Sequence, residues 1–110
     1  AGFTHSAAMA DGENVGDTQR CVYLSQIKNS SAIDDSTVLI EMRGNHGYKR
    51  VDFAARCHGL KFSGFAHGTP TNRLCTSNSI TVLDDAATPC MIDQIVTIDE
   101  TEAAALRDRR

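Results

Sequence analysis

Apolar and polar residues alternate most regularly between residues 37 and 53. In residues 37–43, every second residue is apolar: Val38, Ile40 and Met42. The alternation resumes in residues 48–53, where Lys49 falls on the same face of the predicted strand as Val51 and Phe53. A period of two residues predicts half-buried strands. Because the glycine-containing segment 44–47 separates the two runs, the pattern predicts a β-hairpin.

Other segments carry weaker strand patterns. We predict strands that begin at Cys21 and Ser79 and one helical turn at residues 54–56. We also predict a strand over part of residues 60–66, with Leu60, Phe62 and Phe65 as apolar anchors. Residues 29–31 predict a bulge or turn, and residues 34–36 predict an Asx-type turn. Residues 90–98 are apolar on both faces, which is typical of a central strand.

The C-terminal residues change to a helical pattern. Asp99 and Glu102 match a capping box of the Asp-x-x-Glu form, and three alanines and Leu106 follow. These elements predict a mainly β fold: a small antiparallel β-barrel or barrel-like sheet of five to six strands with a short C-terminal helix.

Residues 1–19 lack a strand or helix pattern. Ala8-Met9-Ala10 has the small-x-small form of a signal-peptidase site, although no apolar run precedes it. We therefore predict a flexible N-terminal arm or leader remnant over residues 1–19 and a single disulfide-stabilised β-domain over residues 20–110.

Charge and hydropathy argue against nucleic-acid binding and against a transmembrane segment. The 110 residues carry a net charge of −3 with acidic and basic residues intermixed, and no apolar run approaches the length of a membrane span. We predict neither a nucleic-acid partner nor a transmembrane segment.

The four cysteines lack a Cys-x-x-Cys pair, which favours disulfides over a zinc ribbon or a thioredoxin-like site. Two disulfides predict an oxidising compartment, either periplasmic or extracellular. Four cysteines permit three connectivities. We favour Cys57–Cys75, which would close the glycine-rich segment, and Cys21–Cys90, which would join the first strand to the last.

Candidate chemistry is sparse. His58 and His67 lie in the segment of Cys57 and Cys75, but their spacing matches no usual zinc pattern, and the chain has no Gly-x-Ser-x-Gly or His-Glu-x-x-His motif. We predict no catalytic residue, metal or cofactor. Four groups in predicted turns and loops are the candidate binding residues: Asp34, Asp35, His46 and Arg73.

The chain resembles a family of small exported bacterial proteins of unknown function with four ordered cysteines. The resemblance spans residues 21–98, and its most specific part is the order of the cysteines. It rests on these residues: Cys21-Val22, Ile33-Asp34-Asp35, Val38-Leu39, Tyr48, Cys57, Gly59-Leu60, Asn72-Arg73-Leu74-Cys75, Ile80, Val82-Leu83-Asp84 and Cys90. The sequence departs from the family at His58, where proline is usual, and after Cys90, where a typical glycine is missing. The resemblance implies export and supplies no catalytic residue.

The sequence therefore predicts a non-enzymatic exported domain, periplasmic or envelope-associated, with a binding or structural role toward an unidentified protein or small ligand. Two alternatives stay open. One is a small metal-dependent or hydrolytic enzyme that uses His58 and His67, and the other is an oligonucleotide-binding-type barrel, against which the acidic charge counts.

Overall fold

A computed structural model describes residues 14–44, 47–67, 71–84 and 86–110, and for residue 67 the backbone alone. The strands are β1 (Thr18–Gln19), β2 (Cys21–Tyr23), β3 (Ile27–Asp34), β4 (Thr37–Met42), β5 (Tyr48–Phe53), β6 (Phe65–His67), β7 (Arg73–Cys75), β8 (Ser79–Val82) and β9 (Pro89–Ile98). The helices are α1 (Leu60–Ser63) and α2 (Glu100–Arg109), and a 3-10 turn spans Leu24–Gln26.

The main sheet is an antiparallel half-barrel with the strand order β3-β4-β5-β9-β8-β6. β1 also pairs with β9, and β2 and β7 form a separate two-stranded sheet. The predicted mainly β class, barrel-like sheet and C-terminal helix are confirmed. β9 is a central strand, as its two apolar faces predicted, because β5 pairs with one edge and β8 and β1 pair with the other. In the described residues, no helix is long and apolar enough to cross a membrane.

The alternation between residues 37 and 53 produces the predicted hairpin of β4 and β5. Val38, Ile40 and Val51 face the inner core of the half-barrel, while Leu39 faces outward beneath α2. Lys49 is buried, and its Nζ donates a hydrogen bond to Thr97 Oγ1 over 2.7 Å.

Two apolar clusters hold the fold together. The inner cluster fills the concave face of the sheet and includes Val22 and Leu74 from the β2–β7 ribbon. The outer cluster lies between the convex face and α2, which contributes Ala103 and Leu106. Residues 95–98 of β9 are buried on both faces, which explains the three apolar residues there, whereas residues 89–93 alternate between exposed and buried positions.

The predicted cap of the C-terminal helix is confirmed. Asp99 is the N-cap residue of α2, and its Oδ1 accepts a hydrogen bond of 2.8 Å from the backbone N–H of Glu102. The Glu102 carboxylate instead pairs with Arg50 on β5, which ties the first turn of α2 to the sheet.

Two disulfides engage all four cysteines, but the favoured connectivity Cys57–Cys75 and Cys21–Cys90 is wrong. The bonds are Cys21–Cys75 and Cys57–Cys90. The cause is strand pairing: β2 pairs with β7, and the register sets Cys21 directly opposite Cys75 with their Cα atoms 4.0 Å apart. Cys57 and Cys90 meet inside the inner cluster, with a Cα separation of 5.8 Å.

Three predicted boundaries also change. The ordered chain begins before Arg20, because the Gly16 N–H donates to the Thr97 carbonyl and β1 pairs with β9. The rest of the predicted arm, residues 1–13, lies outside the described residues. Residues 54–56 contain a bend rather than a helical turn. The strand predicted over part of residues 60–66 is confined to Phe65 and Ala66 at the start of β6, because α1 takes residues 60–63.

Candidate functional site

An open groove runs along the free edge of the half-barrel. β3 pairs with β4 on one edge, and its other edge has no strand partner among the described residues. This edge and the start of β6 border a groove of about 650 Å³, which we call the β3 groove. Its lining residues are Ser30, Ser31, Ala32, Leu60, Lys61, Gly64, Phe65, Leu83 and Arg110.

The backbone of β3 is regular beside the groove. Irregularities in its pairing with β4 occur between Ile27 and Asn29 and between Ala32 and Asp34, and residues 29–32 keep an unbroken register. Ser30, Ser31 and Ala32, which line the groove, have small side chains and are half-buried. Natural proteins usually protect such edges with proline or charge, and residues 29–32 contain neither.

The opposite wall of the groove is the four-residue helix α1, which two glycines delimit. Gly59 has φ +86° and Gly64 has φ +77°, values that a residue with a Cβ rarely adopts. The Ser63 N–H donates to the Gly59 carbonyl over 2.8 Å, and Leu60 is fully buried. The glycines let the chain enter and leave a single helical turn, of which Leu60 is buried, and this turn places Lys61 beside the groove.

The turn of the β3–β4 hairpin, Asp34-Asp35-Ser36, holds α1 from the other side; we call it the acidic turn. Asp35 Oδ1 accepts a hydrogen bond of 3.2 Å from the Lys61 backbone N–H, and Asp35 Oδ2 lies 3.4 Å from Arg56 Nη2. The Lys61 N–H lowers the pKa of Asp35 most, and Arg56 and the charge of His58 add to the effect against the opposing effect of burial.

Asp34 closes the acidic turn and binds α2. Its Oδ1 accepts a hydrogen bond of 2.8 Å from the Ser36 N–H, as the predicted Asx-type turn requires. Its Oδ2 lies 2.6 Å from Arg109 Nη2. Both predicted aspartates are therefore engaged within the protein and position α1 and α2 rather than pointing free charges at solvent.

A second depression of about 450 Å³ lies on the other side of Lys61, between the acidic turn, Arg56 and Phe62. Phe62 was expected to be an apolar anchor of its segment, but it is 93 % exposed. The prediction fails because a helical turn directs residues 60 and 62 to different sides, and Leu60 takes the buried position. The exposed Phe62 therefore lines the depression together with charged residues of the acidic turn, Arg56 and Lys61.

The remaining predicted site residues do not join this surface. Arg73 is exposed on β7, directly opposite Tyr23, and lines neither the groove nor the depression. His46 lies outside the described residues. His58 is exposed close to Asp35, and the side chain of His67 lies outside the described residues.

Within the described part of the chain, no three or more His, Cys, Asp or Glu side chains are grouped so that they could hold a metal ion. All four cysteine sulfurs are in disulfides. The chemistry that the described surface offers is therefore hydrogen bonding by a strand edge, apolar contact and two cationic side chains.

No protein-family model, curated protein or solved structure matches the chain. The resemblance to the exported family with four ordered cysteines therefore stays a prediction.

Sequence reasoning missed the residues of the β3 groove. Ser30 and Ser31 were assigned to a bulge or turn, and Lys61 and Leu83 were not singled out. The signal in the sequence was weak: a strand rich in small polar residues between two predicted elements resembles a loop. Only the sheet order reveals that this strand is an edge.

Proposed function

We propose that this protein is a non-enzymatic binding domain that holds an extended segment of a partner polypeptide along the free edge of β3. One observation carries the proposal. An eight-residue strand at the end of the sheet, β3, forms one wall of an open groove, and its edge away from β4 has no strand partner among the described residues. Such an edge is a template for strand addition, in which main-chain hydrogen bonds supply affinity.

The strand edge and the apolar lining of the groove fit this mode of binding. The regular register over residues 29–32 offers alternating N–H and C=O groups to an added strand. Leu60, Phe65 and Leu83 supply apolar contacts, of which Leu83 is 59 % exposed. Alternate side chains of an added strand would point to opposite faces, so one set would lie over these apolar residues.

The two disulfides support the same role. By the chain-entropy model, loops of 54 and 33 residues give each bond about 4 kcal/mol relative to the reduced unfolded chain. A rigid half-barrel keeps the β3 edge in place before binding, which lowers the entropic cost of association. We also propose that the protein acts in an oxidising compartment, periplasmic or extracellular, because disulfides persist there.

The binding proposal is tested with a library of displayed random peptides and two edge variants, Ser30→Pro and Ser31→Pro. In an antiparallel edge, one of two neighbouring residues directs its N–H toward the adjacent strand and the other directs it outward. Proline is tolerated only at the outward position. We expect one of the two variants to keep the melting temperature of the wild type but to lose peptide binding. We also expect the selected peptides to slow amide hydrogen exchange at residues 29–32 of the wild-type protein.

Peptides that bind the tolerated proline variant as tightly as wild type, or that protect amides elsewhere, contradict strand addition at β3. The compartment has a separate test: alkylation of the unreduced protein, freshly isolated from its native cells, in denaturant with a chelator. We expect no alkylated cysteine before reduction and four after it. Two or more labelled thiols before reduction contradict export.

A further inference from the structure

We infer that the segment held along β3 is acidic and carries a carboxylate that pairs with Lys61 and Arg110. This inference rests on the proposed strand addition and names the class of peptide that the β3 groove takes. Of the described residues that line the groove, two are cationic and none is acidic, in a protein whose net charge is −3.

The two cations of the groove differ from their neighbours. Arg56 and Arg109 are engaged by the aspartates of the acidic turn. Among the described residues, neither Lys61 Nζ nor the Arg110 guanidinium lies within 4.0 Å of a carboxylate oxygen. The acidic turn thus pairs with Arg56 and Arg109, whereas Lys61, although it also lines the depression beside this turn, is available to a ligand in the groove.

The backbone of Lys61 is fixed even though its side chain is exposed. Its N–H donates to Asp35, and the flanking Leu60 N–H donates to the Cys57 carbonyl over 3.1 Å, next to the Cys57–Cys90 disulfide. The backbone that carries the Lys61 ammonium group is therefore held in place where the β3 groove and the second depression meet. A positive charge held at a strand edge favours an incoming strand with negative charge at the facing positions.

The apolar part of the groove adds a second requirement. Leu83 and Phe65 lie in the same lining as Lys61 and would be covered by an apolar side chain of the ligand. The structure thus assigns to the ligand an extended peptide that contains both apolar and acidic residues. The carboxylate belongs either to an acidic side chain or to a free C-terminus.

The test measures fluorescence anisotropy of three labelled peptides in which Val alternates with Asp, Asn or Lys, each made with a free and an amidated C-terminus. At low ionic strength, we expect the amidated Asp peptide to bind about threefold to tenfold more tightly than the amidated Asn peptide and the difference to shrink in high salt. Lys61→Glu should reverse the preference toward the Lys peptide. Arg20→Glu makes the same charge change at an exposed residue outside the groove and should leave the preference intact.

The possible outcomes distinguish failure of the acidic-ligand inference from failure of the proposed strand addition at β3. Equal binding of Asp and Asn peptides, with protection of residues 29–32, refutes the acidic ligand and leaves strand addition standing. An advantage confined to the free C-terminus assigns the carboxylate to a chain end. No binding by any peptide refutes strand addition itself. If a labelled oligothymidine binds more tightly than the Asp peptide and its binding depends on Lys61, the inference is overturned in favour of a nucleic-acid ligand.

Discussion

Asp35 accepts a hydrogen bond from the backbone N–H of Lys61, 26 residues further along the chain. The bond joins the acidic turn to α1, and the Cys57 N–H donates to the Asp35 carbonyl over 2.6 Å beside it. Both ends of the segment that carries His58 are therefore attached to the same turn. The position of Lys61 in the β3 groove depends on this attachment.

The contribution of Asp35 to stability should depend on pH. The pKa of its carboxyl lies below the usual 3.8, so the folded protein binds a proton there less readily than the unfolded chain. Its stabilisation is present above pH 3.8 and is lost as the pH falls through the lower pKa of the folded state. Asp35→Asn imitates the protonated carboxyl, and at pH 7 it should lower the free energy of unfolding by up to about 1 kcal/mol.

Urea unfolding of both proteins between pH 7 and pH 2 checks this expectation. The difference between wild type and Asp35→Asn should vanish at the acid end of the range. Asp93→Asn removes an exposed carboxylate on β9 and is the matched control, with little effect expected at any pH. A constant difference down to the lowest pH would mean that the charge of Asp35 does not stabilise the fold.

The fold was predictable where local pattern and tertiary structure agree. The hairpin of β4 and β5 follows from an alternation around a glycine loop to which Leu39 is the exception, and the cap of α2 follows from Asp99 and its three-residue spacing to Glu102. The disulfide connectivity was not predictable, because it depends on which strands pair across the molecule. Nothing in the residues around Cys21 shows that β2 leaves the main sheet to pair with β7.

Peptide mapping of the unreduced protein should recover Cys21 linked to Cys75 and Cys57 linked to Cys90. Cys57 and Cys90 are 1 % and 8 % exposed, whereas Cys21 and Cys75 are only partly buried. A mild reductant should therefore open Cys21–Cys75 first, because attack requires access to a sulfur. Mass spectrometry after timed alkylation measures the order. A Cys57–Cys75 peptide, or first opening of the buried bond, would contradict the structure.

Gly59→Ala should destabilise the protein more than Gly64→Ala. Both glycines have positive φ, so each substitution carries backbone strain. A Cβ at Gly59 would also lie 3.2 Å from Asp84 Oδ2 and 3.4 Å from Val82 Cγ1, whereas a Cβ at Gly64 meets no atom within 4 Å.

We expect a loss of about 1 kcal/mol for Gly64→Ala and a larger loss for Gly59→Ala. Thermal unfolding of the two variants measures the difference. Equal losses would show that Asp84 moves aside without cost.

The candidate site was less predictable than the fold because its residues act through relationships that a linear pattern does not contain. Asp34 and Asp35 were selected as binding groups from their place in a turn, yet their carboxylates are occupied by Arg109 and Arg56. Lys61 attracted no notice, yet no carboxylate among the described residues pairs with its ammonium group. A charge becomes available for binding only when its neighbours in space leave it unpaired, and those neighbours come from distant parts of the chain.

The packing of α2 against the sheet should affect both the stability of the fold and peptide binding in the β3 groove, and Leu106→Ala tests both effects. Leu106 is 4 % exposed in the outer cluster, where it packs with Ile33 of β3. Its truncation should cost about 2–5 kcal/mol in urea unfolding. The exposed Ala104→Ser on the same helix should cost about 0.5 kcal/mol or less.

Because α2 leads directly to Arg110 in the groove lining, the Leu106→Ala variant that remains folded should also bind the Val-Asp peptide more weakly. Ala104→Ser should bind it as wild type does. Unchanged peptide affinity in the folded Leu106→Ala variant would show that Arg110 contributes nothing to the groove, and the whole charge preference would then rest on Lys61.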